Sequence, residues 1–299
     1  MKRGYLQILL AAVLFLLALG LTLYPVVSNW YIGRHQSRIQ TEYREVLEQT
    51  DSAEIESIRE SAAAYNKTIT PGAAEKAYSQ ESIRLAAEDY VNQVDVSGSG
   101  IMGYVEIPKI GADLPIYHGT GADSLDRGTG HLLGSSLPVG GESTHTIITG
   151  HSGMASQKMF TDLEQLREGD IFYLHVLDET LTYEVREIHT VLPHDTTYLG
   201  IEPGEDLCTL VTCTPTGVNT HRLLVHGSRI PYVPTEETEA SAVLHEENTD
   251  SNWEKQYWLG VRLGLAAMVF LTLVAGAVLY IRRNRGRAVH RKGGRYVRK

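Results

Sequence analysis

The chain has 299 residues, of which 42% are apolar and 21% charged, with two cysteines and a formal charge of −9. This fits one or two domains of ordinary globular composition, with no internal repeat and no low-complexity block. The excess of acid argues against nucleic acid as a partner, and the rest of the information lies in where the charges fall.

Residues 1–4 form a short terminus carrying Lys2 and Arg3, and no charged residue follows until after Gly33. At about 1.5 Å per residue the run ILLAAVLFLLALGLTLYPVV is long enough to cross a hydrocarbon core of roughly 30 Å. The competing reading is a cleaved signal peptide, but such peptides have apolar regions of about 7–15 residues that end at a small-residue site. A transmembrane helix is therefore expected over 5–27. A second bare run, LGLAAMVFLTLVAGAVLYI, predicts another over 257–281.

Residues 28–97 read as a helical segment. Ile39, Tyr43, Val46 and Leu47 recur at helical spacing, and so do Ile83, Ala87, Tyr90, Val91 and Val94. Between them, AAAYNKTITPGAAEKAY contains Pro71 and Gly72 and reads as a loop. These helices either form a stalk or pack on the next domain and cover part of it.

From residue 98 to 232 short β-branched runs alternate with turn residues: GYVEI, ADLPIY, THTIITG, DIFYLHVL, LTYEVREIHTVL, DLCTLVTCT and HRLLVHG. Seven such strands predict a mainly β domain, a closed barrel or a sandwich. MFTDLEQLREGD is expected to be a short helix. Residues 233–256 are acidic and poor in bulky apolar side chains, as in a linker, and residues 282–299 form a basic tail.

Basic flanks stay on the cytoplasmic side of a membrane. Both termini are then inside, and residues 28–261 form one loop on the outer face. Twelve of the 27 basic residues lie outside that loop, leaving 15 against all 36 acidic ones, a formal charge of −21. The basic tail reads most simply as a juxtamembrane cluster touching anionic lipid.

Outside the cytoplasm a cysteine pair normally suggests a disulfide. Cys208 and Cys213 are five residues apart on one strand, which puts them on opposite faces and about 16 Å apart, beyond the roughly 7 Å a bridge allows. Cys208 reads as a buried apolar side chain. Cys213 ends its strand, and Arg222 begins the next after the turn TPTGVNT. An antiparallel pair joined this way brings a guanidinium beside a thiol, where it favours the thiolate and can donate to a carbonyl oxygen gaining charge. A surface arginine near a buried cysteine is the bland alternative.

A thiol nucleophile also needs a proton donor for its leaving group, and histidine is the usual one. Of twelve histidines, His151 stands out in TGHSG at a strand end flanked by glycine. His221 ranks second, since it points away from its neighbour Arg222. His118, His131 and His145 read as structural or solvent-facing. No CxxC or HExxH spacing is present, so no metal and no cofactor is expected.

TLVTCTP followed by NTHRLLVHGSR resembles the cysteine and arginine strands of sortases, and THTIITGHSG resembles their histidine strand. The likeness extends through GIMGYVEIPKIGADLPIYHGT, GTGHLLGSSLPVGG, MFTDLEQLREGDIFYLHV and TLTYEV, over nearly all of residues 98–231. It is greatest to the pilin-assembling class C group, whose members often have a second span behind the domain. The resemblance implies an eight-stranded β-barrel with short helices, here preceded by N-terminal helices and flanked by two transmembrane helices. It makes Cys213 the nucleophile, His151 the general acid and base, and Arg222 the oxyanion stabiliser. It implies a cysteine transpeptidase on the outer face of a Gram-positive cell, whose partners are the bilayer and pilin or surface proteins with LPxTG-like signals. The alternatives are a housekeeping sortase acting on peptidoglycan, a hydrolase, and a non-catalytic anchored scaffold; the oligomeric state is not legible. Many class C members carry a lid with an Asp-Pro-aromatic triplet, which residues 60–100 lack. SLPVGG lies inside the matched region and reads as a loop of the enzyme itself.

Overall fold

The computed structural model describes residues 2–70, 72–73, 87–154 and 157–232, with parts of 259–276. The chain divides into two units, residues 1–24 with 252–299 and residues 25–251. In the first unit Val13, Leu14, Phe15, Leu16, Leu17 and Leu23 are exposed. Among the described residues no helix is long and apolar enough to cross a membrane, so the two expected spans do not follow from the fold. The linker over 233–256 and the tail over 282–299 lie outside the described residues, as does most of the second expected span.

The second unit is built on eight strands. They are β1 (Ile101–Ile107), β2 (Ala112–His118), β3 (Thr129–His131), β4 (Thr144–Thr149), β5 (Ile171–Val176), β6 (Glu179–Val191), β7 (Asp206–Thr214) and β8 (His221–Ile230). They close into a barrel in the order β1-β2-β3-β4-β7-β8-β6-β5. All neighbours are antiparallel except β2 with β3 and β4 with β7, which run parallel. The expectation of a mainly β barrel holds. The three-residue β3 was not anticipated, because TGH is too short to show a period.

The interior is filled by alternate residues such as Met102, Leu174, Phe172, Tyr183, Cys208, Leu210 and Val225. The outer face of β4, β7, β8 and β6 carries a smaller apolar cluster of its own: Ile147, Val211, Leu224 and Val191, joined by Leu132 and Leu199. Alternation along β7 thus separates Cys208 inside from Thr209 and Val211 outside.

Among the described residues three helices precede β1: α1 (Lys2–Gln49), α2 (Ser52–Asn66) and α3 (Ala87–Val91). The end of α1 packs on the barrel, where Tyr43 joins Ile101, Tyr104 and Tyr117. The Tyr43 hydroxyl donates to Met102 O at 3.2 Å and accepts from Leu177 N at 3.0 Å. Asp51 caps α2 by accepting from Ala53 N at 2.8 Å. Ile55 and Ala62 of α2 enter the main core with Tyr90 and Val94, flanked by Ile58 and Tyr65. The helices therefore cover the barrel and are no mere stalk. Part of the stretch read as a loop, AAAYN, belongs to α2; its apolar positions 55, 58, 62 and 65 follow helical spacing that the polar composition obscured.

The helix expected in MFTDLEQLREGD is a single 3-10 turn, Leu163–Gln165. Phe160, Leu163 and Leu166 are all fully buried, and a spacing of three suits a 3-10 turn better than an α-helix.

Candidate active site

β4 and β7 pair in parallel from Thr144 with Asp206 to Thr149 with Val211. The pairing runs past the strand end, since Gly150 N donates to Val211 O at 3.0 Å. Two residues beyond Thr149 and Val211, the same offset sets His151 level with Cys213. Two side chains lock this arrangement. Thr212 Oγ1 donates to Gly150 O at 2.8 Å, and Ser152 Oγ donates to Cys213 O at 2.6 Å. Neither was singled out in the sequence, though both hydroxyls adjoin the residues that were.

On the other side of β7, Cys213 is the register partner of Arg222 on β8, and Arg222 is the partner of Val191 on β6. Directly paired Cα atoms in an antiparallel ladder are about 4.5–5.5 Å apart with side chains on the same face. The thiol and the guanidinium thus share the outer face, beyond the rung of Val211 and Leu224. Arg222 Nη1 donates to His221 O at 3.1 Å and to Asn219 O at 3.4 Å, which ties the guanidinium to the turn between the strands. Cys213 and Arg222 share one end of one face, and the segment carrying His151 leaves β4 beside that end. Among the described residues no hydrogen bond joins the thiol to the imidazole; such contacts are often loose before substrate arrives.

The segment after β4 braces this end. Gly150 is needed because a Cβ there would lie 2.7 Å from the Phe160 ring, and Gly153 takes a left-handed φ of 72° against Thr216. Phe160 N donates to His151 O at 3.0 Å, and Thr214 Oγ1 donates to Glu164 Oε1 at 2.7 Å. The buried turn thereby fixes the residues flanking both His151 and Cys213.

The two cysteines are free. Cys208 is fully buried in the barrel, and burial, with Asp206 nearby, pushes its thiol well above the usual range. It stays protonated and inert. Cys213 is half-buried at the strand end, where a reagent can reach it.

The residues matched by the sortase domain family are 105–230, which include all three site residues. The sortase C of Streptococcus pneumoniae superposes with a TM-score of 0.60 at 44% identity, over 66% of this chain and all of that one. The pilus-related sortase C of Group B Streptococcus does so with a TM-score of 0.58 at 39% identity, over 64% of this chain and 97% of that one. The sortase A of Streptococcus agalactiae serotype III is 27% identical over 227 residues, 75% of this chain and 84% of its own length.

The chain belongs to the sortase family.

It is a class C-like cysteine transpeptidase, and several other histidines of this sortase serve its fold. His131 is fully buried; its Nδ1 meets the Tyr90 hydroxyl at 2.8 Å and its Nε2 meets Ser136 O at 2.8 Å. His145 Nε2 and His226 Nδ1 share the Thr209 hydroxyl at 2.6 and 2.8 Å. Burial lowers His131 and His226 to about 4 and lowers His145 as well. His118 bonds Gly100 O and Gln93 O, and His221 meets its neighbour Thr220 at 3.0 Å.

SLPVGG is also structural in this sortase. Leu137 is fully buried, and its backbone exchanges two hydrogen bonds with the Asn66 side chain at the end of α2, at 2.7 and 3.2 Å. Of the segment in the place of the family's lid, residues 71 and 74–86 lie outside the described residues.

Proposed function

We propose that this sortase joins pilin subunits on the outer face of a Gram-positive cell, with Cys213 as nucleophile, His151 as general acid and base, and Arg222 as oxyanion stabiliser. The single observation that carries the assignment is the register. Cys213 is the register partner of Arg222 across β7 and β8, and the β4–β7 pairing, extended by Gly150 N to Val211 O, ends one residue before His151, which supports its assignment beside Cys213.

The thiol gives its proton to His151, and the thiolate attacks the Thr–Gly carbonyl of an LPxTG-like signal. The carbonyl oxygen gains charge, which Arg222 meets with N–H donors; a donor aimed at a developing oxyanion is worth about 10²–10³ in rate. His151 returns the proton to the departing glycine amine, leaving a thioester on Cys213. A lysine amine of the next pilin then attacks the thioester, gives its proton to His151 and releases the thiol. The thioester keeps much of the amide's reactivity, so no outside energy source is needed.

Anchoring by spans over 5–27 and 257–281, with both termini cytoplasmic, is part of the same reading. It is supported by the two uncharged runs and their basic flanks, and by the exposed leucines of the first unit. The pilin step is supported by likeness to the pilus-related sortase C.

The test is to incubate the full chain in detergent with an LPxTG-containing peptide and a lysine-bearing pilin domain. Mass spectrometry should find a lysine-linked product that Cys213→Ala does not make. A product carrying only water or a peptidoglycan amine would contradict the pilin step.

A further inference from the structure

The main chain around His151 is pinned on every side, by Gly150 N to Val211 O, Thr212 Oγ1 to Gly150 O, Ser152 Oγ to Cys213 O, and Phe160 N to His151 O. What remains free is the side chain, a half-exposed imidazole whose ring torsions the backbone does not set. Among the described residues one carboxyl group approaches it. Asp126 Oδ1 lies 3.8 Å from His151 Nε2.

Asp126 is held firmly for a residue with an exposed side chain. It follows the short helix α4 (Ala122–Leu125) and closes it, its N–H donating to Ala122 O at 2.9 Å. Its carbonyl accepts from Gln157 Nε2 at 2.9 Å, and Gln157 is itself buried, on the segment that leaves His151. Arg127 and Gly128 both donate to Ser124 O at 3.1 Å, which closes the turn beneath the carboxylate. The carboxylate is therefore presented from a fixed platform tied to the same loop that carries the imidazole.

We propose that Asp126 is a positioning residue for His151: it draws Nε2 outward, leaves Nδ1 for the thiol and the leaving amine, and steadies the imidazolium formed while His151 holds the proton of Cys213. This rests on the assignment of His151 and Cys213 made above. At 3.8 Å the contact is longer than a hydrogen bond, and it tightens when the ring becomes charged. The proton passes from Sγ to the ring and on to the departing amine. A third group orienting the base is a general requirement of activated nucleophiles, and an exposed pair supplies it modestly.

The experiment compares the full-length wild type with Asp126→Asn and Asp126→Glu in detergent, measuring kcat, KM and the Cys213 acyl adduct on an LPxTG-type peptide at low and high salt. Asp126→Asn is expected to lose about two- to fivefold in kcat with KM unchanged, as for an exposed pair felt mainly by the charged ring. Asp126→Glu should recover most of the loss. At about 1 M salt, where screening acts within roughly 3 Å, the gap between wild type and Asp126→Asn should narrow. Wild-type kcat in Asp126→Asn, or a loss indifferent to both salt and glutamate, would overturn the role of Asp126 while leaving the nucleophile in place. A wild type that forms no adduct at Cys213 would overturn the underlying assignment, and the role of Asp126 with it.

Discussion

Replacing Thr212 by valine tests whether the hydroxyl between β4 and β7 holds the histidine end of the site. The side chain is 1% exposed, and its Oγ1 donates to Gly150 O at 2.8 Å. Valine keeps the shape, so the change removes one hydrogen bond and leaves a buried carbonyl without that donor. A lost bond costs about 0.5–1.5 kcal/mol net, and a stranded buried acceptor about 1–3; partial burial of the new methyl offsets some of this, so the expected loss is about 1–2 kcal/mol. For a domain of this size that lowers Tm by roughly 2–8 °C, read by circular dichroism. If about 1 kcal/mol of it appears as misplacement of His151, acylation of Cys213 slows about fivefold. Thr182→Val is the matched control, because the Thr182 hydroxyl is buried without a hydrogen-bond partner. There the same chemical change should leave Tm unchanged or raise it. Equal Tm and equal acylation rates for Thr212→Val and wild type would refute the reasoning, as would a loss in Thr182→Val as large as that in Thr212→Val.

Gly150→Ala would drive a Cβ to within 2.7 Å of the fully buried Phe160 ring. Overpacking of this kind costs about 1–3 kcal/mol, so thermal unfolding should show a lower Tm together with slower acylation of Cys213. Acid should weaken the fold. His131 and His226 are lowered from 6.5 to about 4 by burial, so below pH 6.5 the unfolded chain takes up protons that the folded one refuses. Their stabilisation is whole above pH 6.5 and is lost as pH falls toward 4, a gap worth roughly 3 kcal/mol for each histidine. Asp113 acts in the opposite sense, since partial burial and Glu106 raise it to about 6, but its side chain is exposed and the offset is small. Tm measured from pH 7 to 4.5 should fall, and His226→Gln should flatten that dependence.

Much of the barrel was legible because β-branched runs of five to twelve residues announce themselves by composition, and the pairing of Cys213 with Arg222 because the two bracket one turn. The five-residue separation put the two cysteines on opposite faces, and Cys208 was read as the buried one because a free cysteine packs as a small apolar side chain. What escaped had physical reasons. The strand β3 is three residues long, too few to show an alternation that repeats. In α2 the apolar positions are diluted by Ser, Glu and Ala, so its packing shows only once the barrel it covers is present. The turn at Leu163–Gln165 carries a spacing of three that a helical reading absorbs. The hydroxyls of Thr212 and Ser152, and the approach of Asp126 to His151, depend on strands distant in sequence and have no local signature.

The most direct measurement is tandem mass spectrometry of the full chain after brief exposure to an LPxTG-type peptide. The account predicts a thioester on Cys213 and none on Cys208, with formation slowed about 10²–10³-fold in Arg222→Ala and at least about 10²-fold in His151→Ala. An adduct on Cys208, or wild-type acylation of Cys213 in either variant, would contradict it.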